Sequence, residues 1–198
     1  MFLIIALPKM NYVVEQAYEK QDYALINLAL GEYEICTFHN CNFADADLSQ
    51  FKFIDCEFAD CNLSNATLTE TNFQSVKFKD CKLLGLRFED CSEFGLSFSF
   101  DNCILNHASF YKLDIRKTNF LNSQLQEVDF TEANLSESSF DDSDLSRATF
   151  DRTKLTKADF SSAINYSIDP ENNQINKAKF SLFGVSGLLG KYGIEIVE

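Results

Sequence analysis

Seven cysteines, two histidines and thirty carboxylates are the groups through which this 198-residue chain could do chemistry. The cysteines are Cys36, Cys41, Cys56, Cys61, Cys81, Cys91 and Cys103. Thiolates in such number could hold zinc or close disulfides. Zinc sites, however, use ligands two to four residues apart or pairs of histidines. Here the nearest cysteines are five apart, and the histidines, His39 and His107, are isolated. No nucleophile elbow, phosphate loop or metal motif is present. Carboxylate pairs such as Asp141–Asp142 have no partner base in sight. The chain is therefore expected to be no enzyme and to need no metal or cofactor.

The cysteine spacing leads to the elements that must position these groups. Each cysteine stands two residues ahead of a position in a five-residue series. Bulky apolar residues occupy that series at Phe38, Phe43, Leu48, Phe53, Phe58, Leu63, Leu68, Phe73, Phe78, Leu83 and Phe88. After a disturbance the series resumes and runs from Phe100 through Leu105, Phe110 and Ile115 to Phe160. Two residues before each centre sits a smaller residue, such as Cys41, Ala66 or Ala133. A period of five fits neither an α-helix nor a flat strand. It fits a solenoid whose chain turns a corner every five residues, with two positions inward and three outward. The cysteines are then inward small hydrophobes, a common role for free thiols, and unpaired thiols suit a reducing cytoplasm.

The Ala-(Asp/Asn)-Leu-X-X form of the repeat, as in Asn62-Leu63-Ser64-Asn65-Ala66-Thr67-Leu68 and Glu132-Ala133-Asn134-Leu135-Ser136, resembles the pentapeptide repeat family over roughly residues 36–180. The resemblance implies an all-β fold, a right-handed quadrilateral β-helix with four pentapeptides per coil. Every fourth centre should then share a face. The first face reads Phe38, Phe58, Phe78, Phe98 or Phe100, Phe120, Phe140, Phe160 and Phe180. The second carries Phe43 and then leucines, the third Leu48, Leu68 and then phenylalanines, and the fourth Phe53, Phe73, Ile115, Leu135 and Leu155. Stacked rings would account for 20 Phe and no Trp. Near Ser92–Phe100 the phase slips by two residues, and Glu93 falls where an apolar centre belongs. A local bulge turning Glu93 to solvent is expected, because an unpaired buried carboxylate is costly.

The expected divisions are a cap segment at 1–27, the β-helix at 28–180 and an end segment at 181–198. Phe2–Leu7 is apolar but too short to span a bilayer and a poor signal peptide. It reads as a strand or a cap, and translation could equally begin at Met10. Val185, Leu188, Leu189 and Tyr192 fall at helical spacing, Gly193 is a helix stop, and Ile194-Glu195-Ile196-Val197 reads as a short strand. The ending resembles those of the quinolone-resistance (Qnr-type) proteins and the microcin immunity protein, the latter especially at Ile168–Asn173. The resemblance implies a two-fold homodimer contact through Val185, Leu188, Leu189, Tyr192, Ile194 and Ile196.

With 30 acidic against 17 basic residues the net charge is −13, which argues against direct nucleic-acid binding. The charge is segregated. The first face carries Asp141, Asp142 and Asp159 among its carboxylates. The opposite face carries Asp129, Glu132 and Asp151, and the fourth is nearly neutral with Arg116, Lys154 and Lys157. The resemblance implies a DNA mimic that binds a type II topoisomerase, DNA gyrase or topoisomerase IV, and protects it from quinolones or a peptide toxin. Those six carboxylates are the expected partner-binding residues. The chain is more like the members without long projecting loops. A protein-interaction scaffold with no topoisomerase partner is the alternative.

Overall fold

The computed structural model describes residues 10–195 and 197. Phe2–Leu7 and Ile196 lie outside them. Twelve short strands follow in chain order: β1 (Asn11–Val14), β2 (Ala17–Glu19), β3 (Gly31–Glu34), β4 (Thr37–His39), β5 (Lys52–Ile54), β6 (Glu57–Ala59), β7 (Asn72–Gln74), β8 (Val76–Lys79), β9 (Phe98–Asp101), β10 (Phe120–Leu121), β11 (Asp159–Phe160) and β12 (Lys179–Phe180). All pair in parallel. β1-β3-β5-β7 form the fourth face, and β2-β4-β6-β8-β9-β10 the first. Single bridges such as Asn42↔Asn62 and Asp129↔Thr149 carry the ladders up the other sides. The result is a right-handed, four-sided β-helix of about eight turns.

The five-residue period has a backbone cause. Two residues after each centre the chain enters the left-handed region, with φ between 48° and 66° at non-glycine corners from Glu15 to Lys177. That conformation is unfavourable for an L-residue. Most corner amides offset the cost by donating to the coil above, as in Asp45 N–H to the Ser64 carbonyl at 2.9 Å. Asn and Asp tolerate such corners best, whereas a β-branched residue is an outlier. Ile35 is that outlier, with φ 54° and a side chain 49% exposed. Ile35→Asn should therefore stabilise the fold by about 1 kcal/mol, read as a higher urea midpoint with an unchanged slope.

Stacked rings fill the core. On the first face consecutive centroids from Tyr18 through Phe38, Phe58, Phe78, Phe100, Phe120, Phe140 and Phe160 to Phe180 lie 4.6–5.4 Å apart. A second column crosses it edge-on, the geometry that ring quadrupoles favour. In the lower coils it stands on the fourth face, with Phe53 at 75° to Phe58. In the upper coils it stands on the third, with Phe110 at 84° to Phe120. The change of side happens at the slip.

At the slip the register lengthens from twenty residues to twenty-two, Phe78 pairing with Phe100. Glu93 points to solvent, as does Phe94, 80% exposed. Phe98 is buried, its ring 5.2 Å from both Phe88 and Phe100, and fills the space that a fourth-face centre would occupy. The bulge is tied to the coil below by Asn72 Nδ2 donating to the Phe94 carbonyl at 2.6 Å and by Ser75 N–H donating to Ser97 Oγ at 2.8 Å.

Two features differ from the sequence reading. Parallel pairing starts at Asn11, opposite Gly31, well before residue 28, so residues 11–27 form a coil rather than a cap. Val13, Tyr18, Tyr23 and Leu28 are its centres, all packed on the core. The thiols are also more than small hydrophobes. All seven are free and buried. Cys61 Sγ accepts the Cys41 N–H at 3.4 Å and donates to the Phe38 carbonyl at 3.3 Å. Ser123 and Ser143 continue the same column, Ser143 Oγ accepting the Ser123 N–H at 3.0 Å. The site selects a small donor–acceptor, thiol or hydroxyl. Burial pushes the Cys56 thiol up to about 12.

Candidate functional site

The corners project furthest from the solenoid, so their side chains meet a partner first. In the upper coils three of the four corner columns set a glutamate against basic side chains. Glu127 lies 3.3 Å from His107 and 2.7 Å from Arg147. Glu132 lies 3.7 Å from Lys112 and 3.0 Å from Arg152. Glu137 lies 3.6 Å from Lys157. One coil thus places glutamate at three corners, with Arg147, Arg152 and Lys157 over them in the next coil and Lys112 below Glu132. The corner after the first face breaks the pattern, reading Asn102, Asn122, Asp142 and Ser162. Its carboxylate has no cation above or below.

The six expected partner-binding carboxylates therefore do not form one surface. Asp129, Glu132 and Asp151 lie on the third face; Asp141, Asp142 and Asp159 lie on the first, across the solenoid. On the third face Glu132 is held between its two cations, and Asp151 lies 3.1 Å from Arg152. Asp129 Oδ1 accepts the Thr131 N–H at 2.8 Å. On the first face Asp159 is bound to Lys179 at 2.8 Å. Asp141 and Asp142 are exposed and in no ion pair among the described residues. Asp80 and Asp101 lie below them, in no ion pair among the described residues, but there Lys79 stands beside Asp101 in register and Lys77 beside Ser99. No group of three or more His, Cys, Asp or Glu among the described residues could hold a metal ion. Nor is any helix among them long and apolar enough to cross a membrane.

The C-terminal end is apolar. Instead of an α-helix, the chain forms two 3-10 turns, Gly184–Leu188 and Gly190–Tyr192, and Ile194 and Glu195 join no strand. The cause is glycine at 184, 187, 190 and 193. A 3-10 helix eclipses residues three apart, so Gly184 and Gly187 lay bare backbone on Tyr166. A Cβ at Gly184 or Gly187 would collide with that ring. Lys191 clamps the tail to the Asp169–Pro170–Glu171 turn, with Nζ 2.8 Å from Asp169 and 2.7 Å from Glu171. Of the expected dimer residues, Leu188 packs on the core, Leu189 is half-buried, and Val185, Tyr192 and Ile194 are exposed. Ile196 lies outside the described residues. Phe183 at 95% and Leu182 at 85%, among the most exposed apolar side chains there, are ones the helical spacing passed over.

A family model described as "Pentapeptide repeat region" matches residues 32–99 and 87–160. The chain belongs to the pentapeptide repeat family. Among solved structures, this repeat protein superposes on a trypsin-treated form of QnrB1, a plasmid-mediated fluoroquinolone resistance protein. The TM-score is 0.62 at 19% identity, covering 96% of this chain and 100% of that one. Full-length QnrB1 gives 0.55 at 21% identity, covering 93% and 100%. HetL of the cyanobacterium Nostoc sp., a pentapeptide repeat protein involved in heterocyst differentiation regulation, gives 0.54 at 14% identity, covering 86% and 87%. At these identities the likeness is one of fold. No curated protein matches the sequence.

Two carboxylates of this repeat protein tie coils together and contribute to its acid stability. Burial raises the Asp144 carboxyl, but bonds from Ser146, Asn165 and Gln126 outweigh it and hold the group at about 2. The Lys179 ammonium and Ser161 hold Asp159 at about 2. Both lie below the ordinary aspartate value near 3.9. A depressed folded-state value contributes stability that is complete above the unfolded value and lost as pH falls through the folded one. Urea midpoints should hold from neutrality to roughly pH 5 and decline between about 4 and 2. Asp144→Asn should flatten that decline; an unchanged acid slope would contradict it.

Proposed function

We propose that the protein is an acidic mimic of duplex DNA that binds DNA gyrase or topoisomerase IV and shields it from quinolones or a peptide toxin. The uncompensated pair Asp141–Asp142 carries the reading. In the upper coils three corners pair their glutamates with cations, and the fourth leaves Asp142, with Asp141 beside it, free for a cationic surface. The rise from Phe38 to Phe180 spans seven coils, about 34 Å at a ~4.8 Å strand spacing. A duplex of that length carries about 20 phosphate charges, the same order as the net −13 of this chain. The shared fold with QnrB1, a fluoroquinolone resistance protein, supports the choice of partner. Two copies joined at the apolar C-terminal ends would double the rod, and the uncharged stretch from Phe180 to Gly190 suits that homodimer.

The likeness to HetL favours the second reading, an interaction scaffold without a topoisomerase partner, because the same fold is involved there in regulating differentiation. A gyrase supercoiling assay with ciprofloxacin separates the two. The topoisomerase reading expects supercoiling to be restored, or inhibited directly, as the protein is added. The scaffold reading expects no change.

A further inference from the structure

On the third face the backbone ladder of the second coil is complete upward and open downward. Upward, Asp45 N–H donates to the Ser64 carbonyl, Leu48 N–H to Thr67 and Gln50 N–H to Thr69, while Thr67 N–H donates to Ala46, each at 2.9 Å. Downward, the equivalent bonds to the first coil are missing. The carbonyls of Ala44, Asp47 and Ser49 and the N–H of Asp47 pair with no backbone group among the described residues, and no bridge joins Asn27 to Asp47. The cause is local. Leu25 and Leu30 stand where Asp45 and Gln50 turn left-handed corners, and neither adopts that conformation. The Leu25 and Ile26 amides fold back on the Asp22 carbonyl instead, at 3.2 and 3.0 Å. The first coil therefore splays from the second, with Leu25 84% and Ile26 52% exposed. A cleft of about 350 Å³ opens, with Tyr23 and Leu28 below and Ala46 and Leu48 above.

The bare groups are those a strand requires. An edge with free amides and carbonyls is a template for another chain. Main-chain pairing, with alternate side chains seated in pockets, is an established way of holding an extended peptide. The surrounding charge says which peptide fits. Asp22, Asp45 and Asp47 are exposed, and the ion pairs of these coils, His39–Asp60 and Lys52–Glu32, involve none of them.

We propose that the edge at Asp47 takes an extended basic segment of another protein by strand addition. Apolar side chains at alternate positions enter the cleft against Tyr23 and Leu28. Lysine or arginine at the positions between them meets Asp45 and Asp47. The edge lies on the third face of the lower coils, away from Asp141 and Asp142 on the first, so it stands or falls without the topoisomerase reading.

The probe is a fluorescein-labelled Lys-Val-Lys-Val-Lys peptide blocked at both ends, which carries that alternation. Anisotropy should show saturable binding to the full chain that weakens as salt is added. Hydrogen exchange should find the Asp47 amide open in the free protein and protected in the complex. The same peptide with its amides N-methylated keeps its charge and side chains but cannot donate from its main chain. It should bind at least about 10-fold more weakly, the worth of one or two hydrogen bonds. Equal binding of the two peptides would reduce the contact to charge and overturn strand addition. No saturable binding at all would also overturn it. So would an Asp47 amide already protected in the free protein, because the chain would then close this edge itself.

Discussion

Phe120→Ala should destabilise the protein by about 3–5 kcal/mol, the range for truncating a fully buried phenylalanine. The ring is 0% exposed. It stacks on Phe100 at 5.2 Å and Phe140 at 5.0 Å and meets Phe110 and Phe130 edge-on. Truncation leaves a gap in the middle of the ring column, where the coils above and below are fixed by their own hydrogen bonds and cannot close in. In a chain of this size the melting temperature should fall by roughly 10 °C. Ser139→Ala, on the outward side of the next coil, should stay within about 0.5 kcal/mol. Equal melting curves for the two variants would show that the column does not hold the coils.

Reversing Asp141 and Asp142 together to Lys should abolish gyrase binding, at least about 100-fold, since like charges set against a cationic surface cost several kcal/mol. Both side chains point outward and hold no ion pair, so the circular dichroism spectrum should not change. Lys154→Glu with Lys157→Glu, on the fourth face, should weaken binding by less than about 3-fold. Reversing Glu132 should also matter little to binding, because Lys112 and Arg152 already neutralise it. If Glu132→Lys proves as damaging as the Asp141–Asp142 reversal, binding is spread over both faces rather than confined to one.

The fold was legible where a large centre recurs with a small residue two places before it. Phe38 to Phe160 meet that pattern, and the slip at Ser92–Phe100 shows as a break in it. The first coil keeps the phase at Val13, Tyr18, Tyr23 and Leu28, but Asn11, Gln16, Gln21 and Ile26 stand where small inward residues were sought. The left-handed corners were invisible because Ile35, Lys112 and Glu132 occupy them as well as Asn and Asp: the backbone bond to the next coil, not the side chain, holds the corner. The tail misled through its apolar spacing of three and four, which an α-helix shares; glycine at every third position from Gly184 was the better signal. Which carboxylates stand free could not be read one residue at a time. Asp142 and Glu132 occupy equivalent corners, and only the residues twenty positions away, Asn122 and Ser162 against Lys112 and Arg152, distinguish them.

DNA mimicry by the first-face strip is tested most directly by competition. Labelled protein would be titrated with gyrase while fluorescence anisotropy is followed, first over a salt series and then with linear duplex DNA added. DNA mimicry predicts saturable binding that weakens as ionic strength rises and is displaced by duplex DNA. Gyrase binding that duplex DNA leaves untouched, or no binding at all where wild-type gyrase binds DNA, would contradict it.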